Sequence, residues 1–272
     1  MTGARAQTGT VEASGLELRY AERGHGEAVV LVHGTAVGRE LWREVSSALG
    51  EEVRTVSYDR RAYGDSGAPE PYAGTTVGEQ AEDAAGLIEA LAAAPAVVCG
   101  HDLGALVALD LLRRHRGLVR AAVLIEPPLL ALSPTGPAAV SALREAIEAG
   151  AREAEDSSAG AVDAYLREMA GEQVFDELGA DRLRAARSAW RAFAADFGAA
   201  PTFAFARREL GAIDAPVAVI VGSRSAPIRR EVARALAGLL GSATLHEPDA
   251  GHLVPVEAPE AVASAVAEVT AR

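Results

Sequence analysis

The sequence contains one cysteine, Cys99, and neither lysine nor asparagine. A single thiol excludes an intrachain disulfide and fits a reducing compartment. With no lysine, all 26 positively charged residues are arginine; together with the heavy alanine content, this reads as compositional bias rather than mechanism. No apolar run approaches the roughly 20 residues of a membrane span, and Met1–Thr10 has no apolar signal-peptide core. The expectation is therefore a soluble cytoplasmic protein without a membrane partner. Positive charge is in deficit: the formal net charge is −12, which argues against nucleic acid as a partner, since such binders need a basic face. No cluster of His, Cys, Asp and Glu has the spacing of a metal site, so neither metal nor cofactor is expected.

What is present suits a folded globular domain. The chain has 272 residues, 49% of them hydrophobic, enough for one large α/β domain or a domain with an insertion, as a monomer or homodimer. Val11–Arg23 reads as two short strands around Ser14-Gly15. Apolar strands are expected at Ala28–Val32, Val53–Tyr58, Ala96–Cys99, Ala121–Ile125, Pro216–Val221 and Ala243–His246. Helical spacing falls at Val77–Ala93, Ala105–His115, Ile228–Leu240 and Ala258–Thr270. Alternation of this kind implies parallel βαβ units with sites at the C-terminal ends of the strands.

One stretch breaks the rhythm. Residues 127–211 show helical patterns without a convincing strand and hold all five phenylalanines, Trp190 and Tyr165. This is read as a helical cap inserted into a core formed by residues 1–126 and 212–272. Its aromatics serve either the cap's own core or an apolar pocket beneath it; Trp190 and Phe193 are taken as candidate substrate contacts.

The chemistry centres on Gly100-His101-Asp102-Leu103-Gly104, a G-x-D-x-G between an apolar strand and an apolar helix. Such a strand–turn–helix can present its central side chain above a sheet, with flanking glycines admitting close backbone approach. An aspartate there is already ionised at neutral pH. It suits displacement at saturated carbon, giving an alkyl–enzyme ester, better than acyl transfer, which would give an anhydride. The alternative is a helix-capping aspartate on a chain without catalysis.

The motifs as a set resemble the α/β-hydrolase superfamily, in its epoxide hydrolase and haloalkane dehalogenase-like branch with an aspartate nucleophile. His33-Gly34-Thr35 resembles the oxyanion loop; Asp59-Arg60-Arg61-Ala62-Tyr63-Gly64-Asp65-Ser66 resembles D-x-R-G-x-G-x-S, with Ala62 for a usual glycine; Ala250-Gly251-His252 resembles the catalytic-histidine loop. The resemblance implies an eight-stranded, mostly parallel sheet flanked by helices, with the cap between the sixth and seventh core strands. It implies Asp102 as nucleophile, His252 as base, and the backbone amides of Leu103 and Thr35 as oxyanion donors. His33 and His101 sit in motifs at positions the family uses structurally, and are carried as candidate substrate contacts. The usual acid position holds Ser225. A second family position holds Glu126, the expected partner of His252, with Asp249 and Asp214 as weaker candidates.

A dehalogenase would place halide donors, typically a tryptophan after the nucleophile and an asparagine or second tryptophan elsewhere. Here Leu103 follows Asp102 and there is no asparagine. An epoxide hydrolase needs an acid for the departing oxygen; the cap offers Tyr165, with Trp190 and Tyr63 as further donors. The leading expectation is hydrolysis of an epoxide on a bulky apolar metabolite to a vicinal diol. The alternatives are a haloalkane or haloacid dehalogenase, an ester or lactone hydrolase, and a non-hydrolytic binding or cyclisation protein.

Overall fold

The chain enters through a hairpin. Strands β1 (Gln7–Ala13) and β2 (Leu16–Arg23) pair antiparallel around Ser14-Gly15. Both turn residues have positive φ, which lets a two-residue loop follow the right-handed twist of its strands. The computed structural model describes residues 6–272; Met1–Arg5, part of the N-terminal stretch considered above, lie outside the described residues.

Strands and helices then alternate: β3 (Glu27–Val32), α1 (Arg43–Leu49), β4 (Val53–Tyr58), α2 (Val77–Ala90), β5 (Ala96–His101), α3 (Leu103–Arg114) and β6 (Val119–Ile125). A helical segment follows, with α4 (Gly136–Glu153), α5 (Ser157–Ala170), α6 (Glu172–Glu177), α7 (Ala180–Ser188), α8 (Trp190–Ala199) and α9 (Arg207–Gly211). The chain returns through β7 (Val217–Ile220), α10 (Pro227–Leu239), β8 (Ala243–His246), α11 (Val254–Glu257) and α12 (Pro259–Ala271).

Among the described residues one eight-stranded sheet has the order β1-β2-β4-β3-β5-β6-β7-β8. β2 is antiparallel to both its neighbours, and the remaining pairs are parallel. This is the eight-stranded, mostly parallel sheet that the resemblance implied. From β3 the chain steps outward to β4, then crosses back to β5 on the other side. The loops after β3 and β5 therefore diverge, and a crevice opens at their carboxyl ends. Val32 pairs with Gly100 across this point, which brings His33-Gly34-Thr35 beside His101-Asp102.

Alternate strand residues feed opposite faces. Val30, Val32, Val98 and Leu124 pack with α2, α3 and α10 residues such as Leu87, Leu106 and Leu236. Val29, Leu31, Val97 and Val123 pack with Val45 of α1 and Val262 and Val266 of α12. Both faces are covered, so the central strands read as continuous apolar runs. β5 reaches two residues beyond the expected Cys99, because Gly100 and His101 still pair with Leu124 and Ile125. α2 stops short of the expected Ala93; Ala92 has a left-handed φ. No helix among the described residues is long and apolar enough to cross a membrane.

Candidate active site

Asp102 occupies the turn between β5 and α3 with φ 49° and ψ −120°, a strained conformation for a residue with a side chain. The flanking glycines make the turn possible. A Cβ on Gly100 would strike the Gly104 carbonyl, and one on Gly104 the Val32 carbonyl. The Asp102 N–H donates to the Ile125 carbonyl at 2.9 Å, fixing the turn to β6. Its carboxylate is buried and accepts three hydrogen bonds. Thr35 N–H and Tyr165 Oη each donate to Oδ2 at 3.2 Å, and Arg229 Nη1 donates to Oδ1 at 3.3 Å. Burial alone would raise the pKa of this acid. The charge of Arg229, then the neighbouring histidines and the Thr35 amide, outweigh it and hold the carboxyl well below the ordinary range.

His252 follows β8 and is buried. Its Nδ1 lies 3.3 Å from Glu126 Oε2. Glu126 ends β6 with a left-handed φ of 53°, and its N–H donates to the Ile220 carbonyl at 2.8 Å. Its other oxygen, Oε1, accepts from Gly222 N–H at 2.8 Å and from Ser225 Oγ at 2.6 Å. Ser225, at the position where the resemblance would place an acid, is thus a hydrogen-bond donor to Glu126. Burial raises the Glu126 pKa, but the His252 contact, Arg229 and Ser225 carry it below the ordinary carboxylate value. Asp249 instead pairs with Arg224 in an exposed contact, and Asp214 is exposed.

The Thr35 loop is held from below by Arg60. This buried guanidinium donates to the carbonyls of His33 at 2.9 Å and Gly34 at 2.8 Å. It also grips Asp196 of α8, with Nη2–Oδ2 2.6 Å and Nη1–Oδ1 3.0 Å. Asp196 further accepts from Tyr63 Oη at 2.6 Å, Gln80 Nε2 at 3.0 Å and Thr35 Oγ1 at 3.3 Å. One carboxylate from the helical segment therefore ties together two motifs of the core and helix α2.

A cavity of about 240 Å³ opens over Asp102. Thr35, Leu103, Tyr165, Asp196 and Arg229 face it, and the rest of its wall is apolar, including Leu129, Val140, Leu143, Phe197 and Phe203. Leu103 is the first residue of α3, so its N–H has no acceptor within the helix. Tyr165, the candidate acid from the helical segment, donates to the Asp102 carboxylate. Burial, with Asp102 next, raises its hydroxyl pKa well above the ordinary tyrosine value, against the lowering effect of Arg229.

Four expected substrate contacts are corrected. Trp190 is 42% exposed and outside the cavity wall, because it opens α8 on the solvent side. Phe193 is buried against the Tyr165 ring at 5.3 Å between centroids; it backs the tyrosine, and Phe197, one turn on, lines the cavity. His33 is buried with both ring nitrogens engaged. Nε2 accepts from Arg60 N–H at 2.9 Å and Nδ1 donates to the Gly34 carbonyl at 2.8 Å. His101 donates from Nε2 to the His252 carbonyl at 2.9 Å. Both histidines fasten loops rather than line the cavity. Tyr63 donates to Asp196 and also lies outside that wall. Among the described residues no group of three or more His, Cys, Asp and Glu is gathered as a metal site.

Two residues of the site escaped the sequence reading, Arg229 and Asp196. A signal for both was present. Arg229 shares a helical face with buried Val232, Ala233 and Leu236, and Asp196 with buried Ala192, Phe193 and Ala199. A charge on an apolar helix face needs a buried partner.

Comparison with known proteins agrees with this architecture. The sequence profile described as "Alpha/beta hydrolase family" matches residues 29–265. The chain belongs to the alpha/beta hydrolase family. It is 31% identical over 157 residues to 2-(acetamidomethylene)succinate hydrolase of Mesorhizobium japonicum, covering 57% of this chain and 53% of that one. It is 34% identical over 96 residues to an epoxide hydrolase of Caballeronia sordidicola, 35% of this chain and 29% of that one. The chain spans about half the length of the first curated relatives it matches. The enol-lactonase of Burkholderia xenovorans superposes with a TM-score of 0.77 at 22% identity, over 97% of this chain and all of that one. That likeness bears on the fold.

Proposed function

We propose that this hydrolase opens an epoxide on a bulky apolar substrate to a vicinal diol, through an alkyl ester on Asp102. The observation that carries the reading is an ionised carboxylate at a strained elbow, lining an apolar cavity, with the hydroxyl of Tyr165 3.2 Å from it. Asp102 Oδ1 attacks an epoxide carbon, and the carbon–oxygen electron pair passes to the epoxide oxygen, which Tyr165 protonates. Oδ2 already accepts the Thr35 N–H. It becomes the carbonyl oxygen of the ester and then the oxyanion when water adds, with the Leu103 amide as second donor. His252, oriented by Glu126, takes the proton of that water. Collapse breaks the bond between the acyl carbon and the alkyl oxygen; His252 returns its proton to the departing alkoxide, which completes the diol, and the acid formed on Asp102 returns a proton to Tyr165. The Caballeronia relative bears the name epoxide hydrolase, which agrees with this reading. The lactonase and succinate hydrolase names point to acyl chemistry in those proteins, for which a carboxylate at this position is a poor nucleophile.

Single turnover in ¹⁸O-water is the test. The first diol carries an oxygen of Asp102, and the label appears in the Asp102 carboxylate. Product formed without label in the enzyme means direct attack by water or non-hydrolytic chemistry. Asp102→Asn abolishes the covalent ester; retention of full activity by this variant overturns the assignment.

A further inference from the structure

We propose that Arg229 is a second electrophilic group of the site, receiving the negative charge that leaves Asp102 and holding it on the opened oxygen. This rests on the epoxide reading and supplies what that reading lacks. Of the candidate acids, Trp190 and Tyr63 lie outside the cavity, which leaves Tyr165 alone. Among the described residues lining the cavity, Arg229 is the one cation.

Its contacts are unlike those of a structural arginine. Arg60 grips Asp196 at 2.6 Å and Arg61 grips Asp83 at 2.6 Å, as charge-assisted bonds do. Arg229 is nearly as buried, yet it lies 3.3 Å from each of Asp102 Oδ1, the Glu126 carbonyl and Met169 Sδ. The pairing with the nucleophile is loose in the ground state.

Charge conservation explains why that is useful. When Oδ1 bonds to carbon, the carboxylate becomes a neutral ester, and the electron pair of the broken bond settles on the epoxide oxygen a few ångströms away. A buried guanidinium left without that partner is costly. The step is favoured when the new anion arrives beside the same guanidinium, giving an interaction stronger in the transition state than before it. Tyr165 gains from the same event. Asp102 works to raise its hydroxyl pKa and Arg229 to lower it; alkylation removes the first influence and leaves the second. The tyrosine becomes a better acid as its proton is required.

The test uses the full chain, styrene oxide as probe, and rapid quench with intact-mass detection of the ester. Wild type comes first. If it forms no ester, the epoxide reading fails and this inference with it, before any variant is made. Given an ester in wild type, Arg229→Met is expected to slow alkylation about 10²-fold, far more than it slows hydrolysis of the ester. Arg229→Lys recovers part of the loss, and millimolar guanidinium rescues Arg229→Ala. Wild-type alkylation by Arg229→Met overturns the inference, as does equal slowing of both phases without rescue. So does a defect confined to the KM of carboxylate-bearing epoxides, which would make Arg229 an anchor for a substrate anion.

Discussion

At the scale of single residues, the support of His252 divides between Glu126 and Ser225. Glu126 supplies the charge and Ser225 a 2.6 Å donor to its far oxygen. Glu126→Gln keeps the size but removes the charge that balances a protonated His252. Alkylation should proceed near the wild-type rate, while hydrolysis of the ester slows about 10²-fold or more, so that the covalent adduct accumulates and is read by mass. Disappearance of the adduct together with activity would place Glu126 elsewhere in the mechanism. Asp102 and His252 were legible in the sequence because each lies in a short motif whose spacing is local. Glu126 was legible through its place at the end of an apolar strand and through family resemblance. Arg229 and Asp196 showed only as charges on apolar helix faces, which tells that each needs a buried partner; the partners lie 127 and 136 residues away, and no local pattern names those.

At the scale of elements, helical periodicity tells that one face of α8 is buried, not what lies against it. Phe193 and Phe197 share a side of the helix, yet one backs Tyr165 and the other walls the cavity, a division set by where α5 crosses. Trp190→Ala should leave KM unchanged and stability within about 0.5 kcal/mol. Phe197→Ala should change the KM for aryl epoxides several-fold by enlarging the cavity. Steady-state kinetics on the two variants decides between these positions, and the reverse ranking would sink the assignment of the wall. The strands were easier to read than the helices. Burial on both faces makes them short continuous apolar runs, with boundary errors in both directions: pairing outlasted apolarity at Gly100 and His101, and stopped short of it at Pro216 and Val221.

At the scale of the whole molecule, the buried histidines govern the acid side of the stability curve. Burial first, then Arg60, pushes His33 well below its ordinary value, and burial with His252 brings His101 down to about 4. Both titrate near 6.5 once unfolded. As the pH falls from about 6.5 toward 4, the unfolded chain takes up protons that the folded chain refuses. Stability is lost at roughly 1.4 kcal/mol per pH unit per histidine. Asp102 and Glu126, whose folded pKa values are depressed, act in the same direction lower down. Their contribution is present above about pH 4 and is lost progressively as the pH falls from there toward their depressed folded values. Thermal midpoints measured from pH 8 to 4 should decline from near 6.5 downward, and a flat profile between 7 and 5 would contradict the burial of two neutral imidazoles.

The knot around Asp196 also decides how firmly each side of the covering is held. Lifting α8 would strip a buried carboxylate of the donors of Arg60, Tyr63, Gln80 and Thr35 together, which no thermal fluctuation does readily. α4 carries part of the cavity wall through Pro137, Val140 and Leu143, and it packs chiefly on α5, with only Gly136 of its own residues buried. α8 is thus the anchored side of the covering, over Thr35, and α4 the less anchored one. Amide hydrogen exchange should find α8 slow and α4 fast, with α4 slowing when the cavity is filled.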